Sequence, residues 1–204
     1  MCEPAMKMRP PQRLYLLVRI LQPPARRGIY PCMPKANTKA ARNQAILQQL
    51  TKLIDGGQAH ATFDQAVAGF PVALRGKRPR NVPYSAWQLL EHIRIAQRDI
   101  LDWADNSDRS YKSMNWPDDY WPRSSAPPTP GAWDASIRAI HRDQRAFKKL
   151  LTAKGASLTR PFAWGNGKSA GGHNLLRQAL LLADHNAYHV GEIIFLRRLL
   201  GCWK

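Results

Sequence analysis

The sequence predicts an all-α fold, a four-helix bundle with long loops between its helices. Four segments carry apolar residues at spacings of three and four, and the alternating pattern of half-buried strands is absent. No internal repeat at a fixed period is visible. With 204 residues, 44% of them hydrophobic, the chain is long enough for one domain with a normal core.

Residues 1–36 are predicted to be a basic N-terminal extension, and residues 37–204 to be the bundle domain. Prolines interrupt any regular element in the extension; they are Pro4, Pro10, Pro11, Pro23, Pro24, Pro31 and Pro34. We therefore expect the extension to be disordered. Alternatively, translation begins at Met33, and residues 1–32 are then an artefact of the assigned start and dispensable.

The first two long helices are predicted on either side of a basic loop. The first begins near Asn37, carries Ile46, Leu50 and Leu53 on one face and ends at Gly56-Gly57. A further turn or two is expected in residues 63–70, before the loop at 71–83. The second long helix begins near Ser85, and its core face is Leu89, His92, Ala96, Ile100 and Trp103. One position on this core face is therefore a histidine.

Two more long helices complete the predicted bundle. A loop at residues 106–131, longer than a simple connection requires, is expected to act as a lid. The third helix carries the stripe Trp133, Ile137, Ile140, Gln144, Phe147 and Leu151. After a flexible glycine-rich turn at 165–172, the fourth helix is predicted from about Asn174 to Leu200.

The formal charge of +17 favours anionic partners such as nucleic acid, acidic lipid or phosphorylated metabolites. The three cysteines form no CxxC pair, so neither a disulfide framework nor a cysteine zinc site is indicated, and a reducing cytoplasm is the expected compartment. No apolar run reaches the eighteen or more residues of a membrane helix, and residues 14–21 make a poor signal peptide. Neither membrane insertion nor export is expected.

Polar residues continue the core face of the fourth helix, which reads Leu182, His185, His189, Glu192 and Leu196. Histidines at i and i+4 lie roughly 40° apart around the axis and about 6 Å apart along it, so both can bind one metal. The zinc-protease pattern HExxH does not fit, because Asn186 follows His185. A single buried histidine is more often a hydrogen-bonded core residue than a ligand. Burying three histidines and Glu192 on inward faces without partners would cost roughly 1–3 kcal/mol per side chain. A shared metal removes that cost.

The segments SAWQLLEHI (residues 85–93) and LADHNAYHVGE (residues 182–192) resemble the DinB superfamily of metal-binding bundles, over residues 33–203. The resemblance implies that His92, His185 and His189 bind a divalent metal such as zinc or nickel. Many relatives have Gln where this chain has Glu192, so Glu192 either contacts the metal, orients a histidine or reaches solvent. Protons compete with metal, so affinity is expected to decline below the reference histidine pKa of about 6.5.

The resemblance also implies a reaction class, because relatives include transferases that use a low-molecular-weight thiol and some hydrolases. A metal with an open position can activate a water or a thiol for either reaction. A small-molecule substrate and a homodimer are expected on the same basis. The alternative is a non-catalytic nucleic-acid-binding stress protein. It ranks second because the basic residues are scattered and no DNA- or RNA-binding motif is present.

Several further residues are candidates for the site. His60 is a candidate proton shuttle, although a histidine in a turn is usually only solvated. The basic loop is a candidate for attracting an anionic substrate or thiol cofactor; its residues are Arg75, Lys77, Arg78 and Arg80. Trp116, Tyr120 and Trp121 either wall a substrate pocket or simply cover the core.

Overall fold

A computed structural model describes residues 38–164 and 172–203. Over these residues the protein is helical and contains no strand, which confirms the predicted all-α class. The five α-helices are α1 (Lys39–Asp55), α2 (Phe63–Val67), α3 (Ala86–Ala104), α4 (Ala132–Thr152) and α5 (Leu175–Leu199). The predicted N-terminal extension and most of the predicted glycine-rich turn lie outside the described residues.

Capping residues explain where the long helices begin and end. The Thr38 hydroxyl accepts a hydrogen bond from the Ala41 amide, and Gly56, at φ 72°, ends α1. Ser85 and Gln88 form a reciprocal capping box at the start of α3. Asn174 caps α5 by accepting from the Arg177 amide. These signals were visible in the sequence, which is why the predicted helix ends lie within about two residues of the observed ones.

The four long helices pack around a shared interior, and the short α2 packs on α5. Helix α3 contacts both α4 and α5, and α1 contacts the same two helices. One part of the core surrounds Phe70, Trp133 and Ile193, and a second part surrounds Phe147 and Leu182. This arrangement brings the inward faces of α3 and α5 together, which places their histidines opposite one another.

The buried face of α1 differs from the prediction. Ile46 and Leu53 are 41% and 48% exposed, whereas Leu50 and Ile54 are buried. Leu47 packs against the same cluster as Leu50 and Ile54. Compared with the prediction, α1 is therefore rotated about its axis, so that Leu47, Leu50 and Ile54 face the core while Ile46 and Leu53 are exposed.

The core face of α4 also contains polar residues that the predicted stripe omitted. Ser136 and Asp143 are buried, whereas the predicted core residues Ile137 and Gln144 are only partly buried. The Asp143 carboxylate accepts from Arg142 at 3.1 Å and lies 3.6 Å from an Arg98 nitrogen. The Ser136 hydroxyl donates to Glu91 of α3. Polar contacts between α3 and α4 therefore replace part of the expected apolar contact.

Arg197 is a buried charge on α5 that fastens α2 and the C-terminal residues to the bundle. Its guanidinium donates to the Ala66 and Ala68 carbonyls at 2.9 and 2.8 Å and to the Cys202 carbonyl at 2.9 Å. The guanidinium carbon Cζ also lies 5.0 Å from the Trp203 ring centre. Because hydrogen bonds from a charged donor are strong, this one side chain stabilises the attachment of both segments.

Replacing Arg197 by Met is expected to lower the free energy of unfolding by about 3 kcal/mol, since it leaves buried carbonyls without donors. Urea denaturation followed by circular dichroism measures the change. The control is Arg198→Met, because Arg198 is the exposed neighbour and should change stability little. Equal stability of the two variants would contradict this role for Arg197.

Candidate metal centre

Three histidines from two helices meet inside the bundle. His92 lies on α3 and His185 and His189 lie one turn apart on α5, and one ring nitrogen of each is within 4.8 Å of the others. The Nε2 atoms of His92 and His185 are 3.1 Å apart. Two nitrogens bound to one tetrahedral ion at about 2.0–2.1 Å lie about 3.3–3.4 Å apart, so this pair is already close to that geometry. The three histidines are thus positioned to hold a metal ion.

The other nitrogen of each ring faces a hydrogen-bond acceptor. His92 Nδ1 lies 3.0 Å from the Tyr120 carbonyl oxygen, and His189 Nδ1 lies 2.6 Å from Glu192 Oε2. His185 Nδ1 is 3.5 Å from the Asn186 side-chain oxygen. A ring that donates through Nδ1 keeps its lone pair on Nε2, and this is the arrangement that metal-binding histidines adopt.

Asn186 links His185 to the backbone of α4. Its amide nitrogen donates to Gln97 Oε1 at 2.8 Å, and the Gln97 amide donates to the Ile140 carbonyl at 2.7 Å. Asn186 and Gln97 are both buried, so this chain of amides is held in one arrangement by its own hydrogen bonds. In the sequence, Asn186 only excluded HExxH; its contact with Gln97 depends on helix packing and could not be predicted.

The loop between α3 and α4 covers His92. The Trp121 ring stacks on the His92 ring with centres 3.9 Å apart, and Tyr84 stacks on the other face of Trp121 at 3.8 Å. Asp99 accepts hydrogen bonds from the hydroxyls of Tyr120 and Tyr111 at 2.7 and 2.8 Å. The aromatic residues singled out in the sequence therefore lie against the histidines, and Asp99 anchors one of them, Tyr120, to α3.

Burial changes the protonation of these groups. Burial, together with the neighbouring imidazoles, lowers the pKa of His185 to about 4. The pKa of His189 is also lowered to about 4, mainly by burial and to a smaller extent by the neighbouring His92 imidazole. Burial also lowers the pKa of His92, against the opposing effect of its bond to Tyr120. The imidazoles are therefore neutral at neutral pH, which is the form that binds metal.

A cavity of about 480 Å³ opens onto the three histidines. Its lining includes all the predicted aromatic candidates and Glu192; the residues are Tyr84, His92, Ala96, Asp99, Ile100, Trp116, Tyr120, Trp121, Leu181, His185, Tyr188, His189 and Glu192. The histidines thus lie at the wall of a space large enough for a small molecule.

The remaining candidates do not line this cavity. His60 is exposed, with Nδ1 2.9 Å from the carbonyl of the adjacent Ala61. Arg75 lies over the Trp133 ring at 4.8 Å, and Arg78 donates to the Pro83 carbonyl at 3.3 Å. Lys77 and Arg80 are exposed. The structure therefore brings the aromatic candidates to the histidines and leaves the basic loop outside.

The fold and the site define an all-helical protein in which two facing helices present three histidines to one cavity. The sequence model of the DinB superfamily matches residues 57–193, about two thirds of the chain. The chain therefore belongs to the DinB superfamily. No curated protein and no solved structure matches it. In the part of the chain that the structure describes, no helix is both long and apolar enough to cross a membrane.

Replacing Glu192 by Gln is expected to retain the metal and weaken its affinity by about tenfold, because the amide oxygen can still accept from His189 Nδ1. Glu192→Ala removes the acceptor and should weaken binding more. Isothermal titration with zinc measures both. If the Gln variant binds no metal, Glu192 is itself a ligand, and the expectation that it only orients His189 through this hydrogen bond is wrong.

Proposed function

We propose that this protein is a metal-dependent enzyme, a low-molecular-weight thiol transferase or a hydrolase, whose divalent ion is held by His92, His185 and His189. The proposal rests on the way the three rings converge at the wall of an open cavity with each Nδ1 facing an acceptor. Zinc or nickel fits these ligands, because imidazole nitrogen suits both ions.

The number of protein ligands favours catalysis over a structural role. Structural zinc sites usually have four protein ligands, whereas catalytic sites keep one position for water or substrate. Among the described residues, this group consists of three histidines. Glu192, the nearest carboxylate candidate, is already bound to His189. An ion held there supplies Lewis-acid chemistry, which makes a water molecule or a thiol nucleophilic at neutral pH.

The chain's own residues have separate roles in this proposal. Tyr120 and Asn186 orient the histidines through their acceptors, and Trp121 keeps water from one face of His92. Glu192 lines the cavity, and burial raises the pKa of its carboxyl group. A raised pKa brings a carboxylate closer to the working range of a general base, so Glu192 is the candidate to take a proton from the nucleophile.

Elemental analysis of protein purified without chelator tests the first step of the proposal. About one equivalent of zinc or nickel per chain is expected. Screens of thiol transfer and of ester and amide hydrolysis, run with that metal, then separate the two reaction classes. Binding of far less than one metal ion per chain after dialysis against zinc or nickel would overturn the metal site. Full activity in chelated protein would overturn the metal-dependent mechanism.

A further inference from the structure

Two large aromatic side chains at the cavity are exposed. Trp116, from the loop between α3 and α4, is 70% exposed, and Tyr188, from α5, is 65% exposed. Both line the cavity, with ring centres 6.4 Å from His92 and 4.9 Å from His189, respectively. Core packing does not account for rings exposed to this extent. Their free faces are available to a ligand that enters the cavity.

The charge at this cavity is opposite to that of the whole protein. The chain carries +17, yet the titratable lining besides the histidines and tyrosines consists of Asp99 and Glu192, with no Lys or Arg among the described lining residues. Residues 99–119 hold six of the chain's fourteen acidic residues but only two basic ones. The approach to the histidines is therefore an acidic region on a basic protein.

An acidic groove adjoins the cavity through Asp99, which lines both. Four further aspartates line the groove: Asp102, Asp105, Asp108 and Asp119. Its arginines are already paired, Arg94 with Glu91 and Arg98 with Asp102. Asp102 therefore adds no net charge, and Asp99, Asp105, Asp108 and Asp119 supply the negative charge of the groove. Lys112 is its other cation. The negative charge therefore continues outward from the cavity, where it can attract a cation over some distance.

We propose that the substrate of this site is an organic cation, an amine or a quaternary ammonium on an aromatic or aliphatic body. Aromatic faces attract such a cation through the ring quadrupole, and nearby carboxylates add to the attraction. That this cation is a substrate rests on the proposed metal-dependent function. That the cavity recognises an organic cation does not. This inference replaces the expectation of an anionic substrate, because the basic loop lies outside the cavity.

Two probes of similar size and opposite charge test the inference. Benzyltrimethylammonium and benzenesulfonate are titrated into the full-length protein, as metal-free and as zinc-loaded samples, and binding is followed by calorimetry and tryptophan fluorescence. The ammonium has no lone pair and cannot coordinate a metal. It is expected to bind metal-free protein at least tenfold more tightly than the sulfonate, at constant ionic strength. Equal or tighter binding of the sulfonate to that sample, or no measurable binding of the ammonium, overturns the inference.

Variants show whether the cation binds at this cavity. Trp116→Ala and Asp99→Asn should each weaken binding of the ammonium at least fivefold. The matched controls are Phe195→Ala and Asp134→Asn, which change an exposed aromatic ring and an exposed carboxylate that do not line the cavity. Circular dichroism checks that each variant folds. Equal weakening in the controls, or none in the cavity variants, overturns the inference. If the ammonium binds as expected but the parent holds no metal, the proposed function fails and cation recognition stands.

Discussion

Replacing His92, His185 or His189 by Ala is expected to lower the affinity for zinc or nickel at least about a hundredfold. Two of the ligands lie one turn apart on α5 and the third comes from α3, so no pair on a single helix completes the site. Removal of one imidazole leaves two nitrogens, and the remaining positions must then be filled by water. Isothermal titration of each variant, together with its metal content after purification, measures the loss.

His141 and His173 provide the matched controls for this experiment. His141 Nε2 lies 2.9 Å from an Asp64 carboxylate oxygen, and the His173 ring packs 4.7 Å from the Trp103 ring. Neither belongs to the group of three, so His141→Ala and His173→Ala should keep the metal. The metal site is wrong if the three site variants bind as well as the parent, or if the two controls lose metal equally.

All five variants are expected to remain helical. The buried apolar residues of the four long helices supply the core without the ion, and Arg197 fastens α2 and the C-terminal residues independently. This differs from a zinc finger, which unfolds without its metal. Loss of metal with an unchanged circular dichroism spectrum would therefore identify a local effect at the histidines.

The three histidines could be predicted because the signal is local to each helix. His185 and His189 continue the apolar face of α5, and His92 interrupts that of α3, so each had to point inward once the helices were recognised. The caps of the long helices are equally local, and their boundaries followed from Ser85, Gly56 and similar residues. What is set within one or two helical turns can be predicted from a single sequence.

Glu192 as a residue that orients a histidine was among the predicted alternatives, because it lies one turn from His189 on the same helix. Two other contacts around the histidines could not be predicted, because they join residues far apart in the sequence. The Tyr120 carbonyl reaches His92 from a loop, and any residue type has a carbonyl. Asn186 meets Gln97 only because α3 and α5 face each other. Asp143 was not part of the predicted stripe of α4, and its contacts with Arg98 and Arg142 explain how the structure can bury it. The rotation of α1 has the same origin.

The stability of metal-free protein is expected to fall as pH decreases from about 6.5 to about 4. In the unfolded chain the histidines have the reference pKa of about 6.5, whereas burial lowers the pKa of His185 in the folded protein to about 4. Between these values the unfolded chain binds more protons, so acid favours unfolding. The stabilisation is complete above about pH 6.5. Urea denaturation measures the free energy of unfolding at each pH. Within this window that free energy should fall more steeply with decreasing pH in the parent than in the double variant His185→Gln, His189→Gln.

The same shift predicts how metal affinity depends on pH. With the reference pKa, each histidine would lower the affinity at pH 5 by about thirtyfold through proton competition, and two would lower it by about a thousandfold. The pKa of His185 and of His189 is lowered to about 4. Proton competition at these two histidines should therefore reduce the metal affinity at pH 5 by less than about twofold in total. The decline expected below pH 6.5 from the sequence is thus moved to lower pH. Zinc titrations at pH 7, 6 and 5 measure this pH dependence. A loss of affinity near a thousandfold between pH 7 and pH 5 would mean that the histidines titrate as exposed groups and are not desolvated.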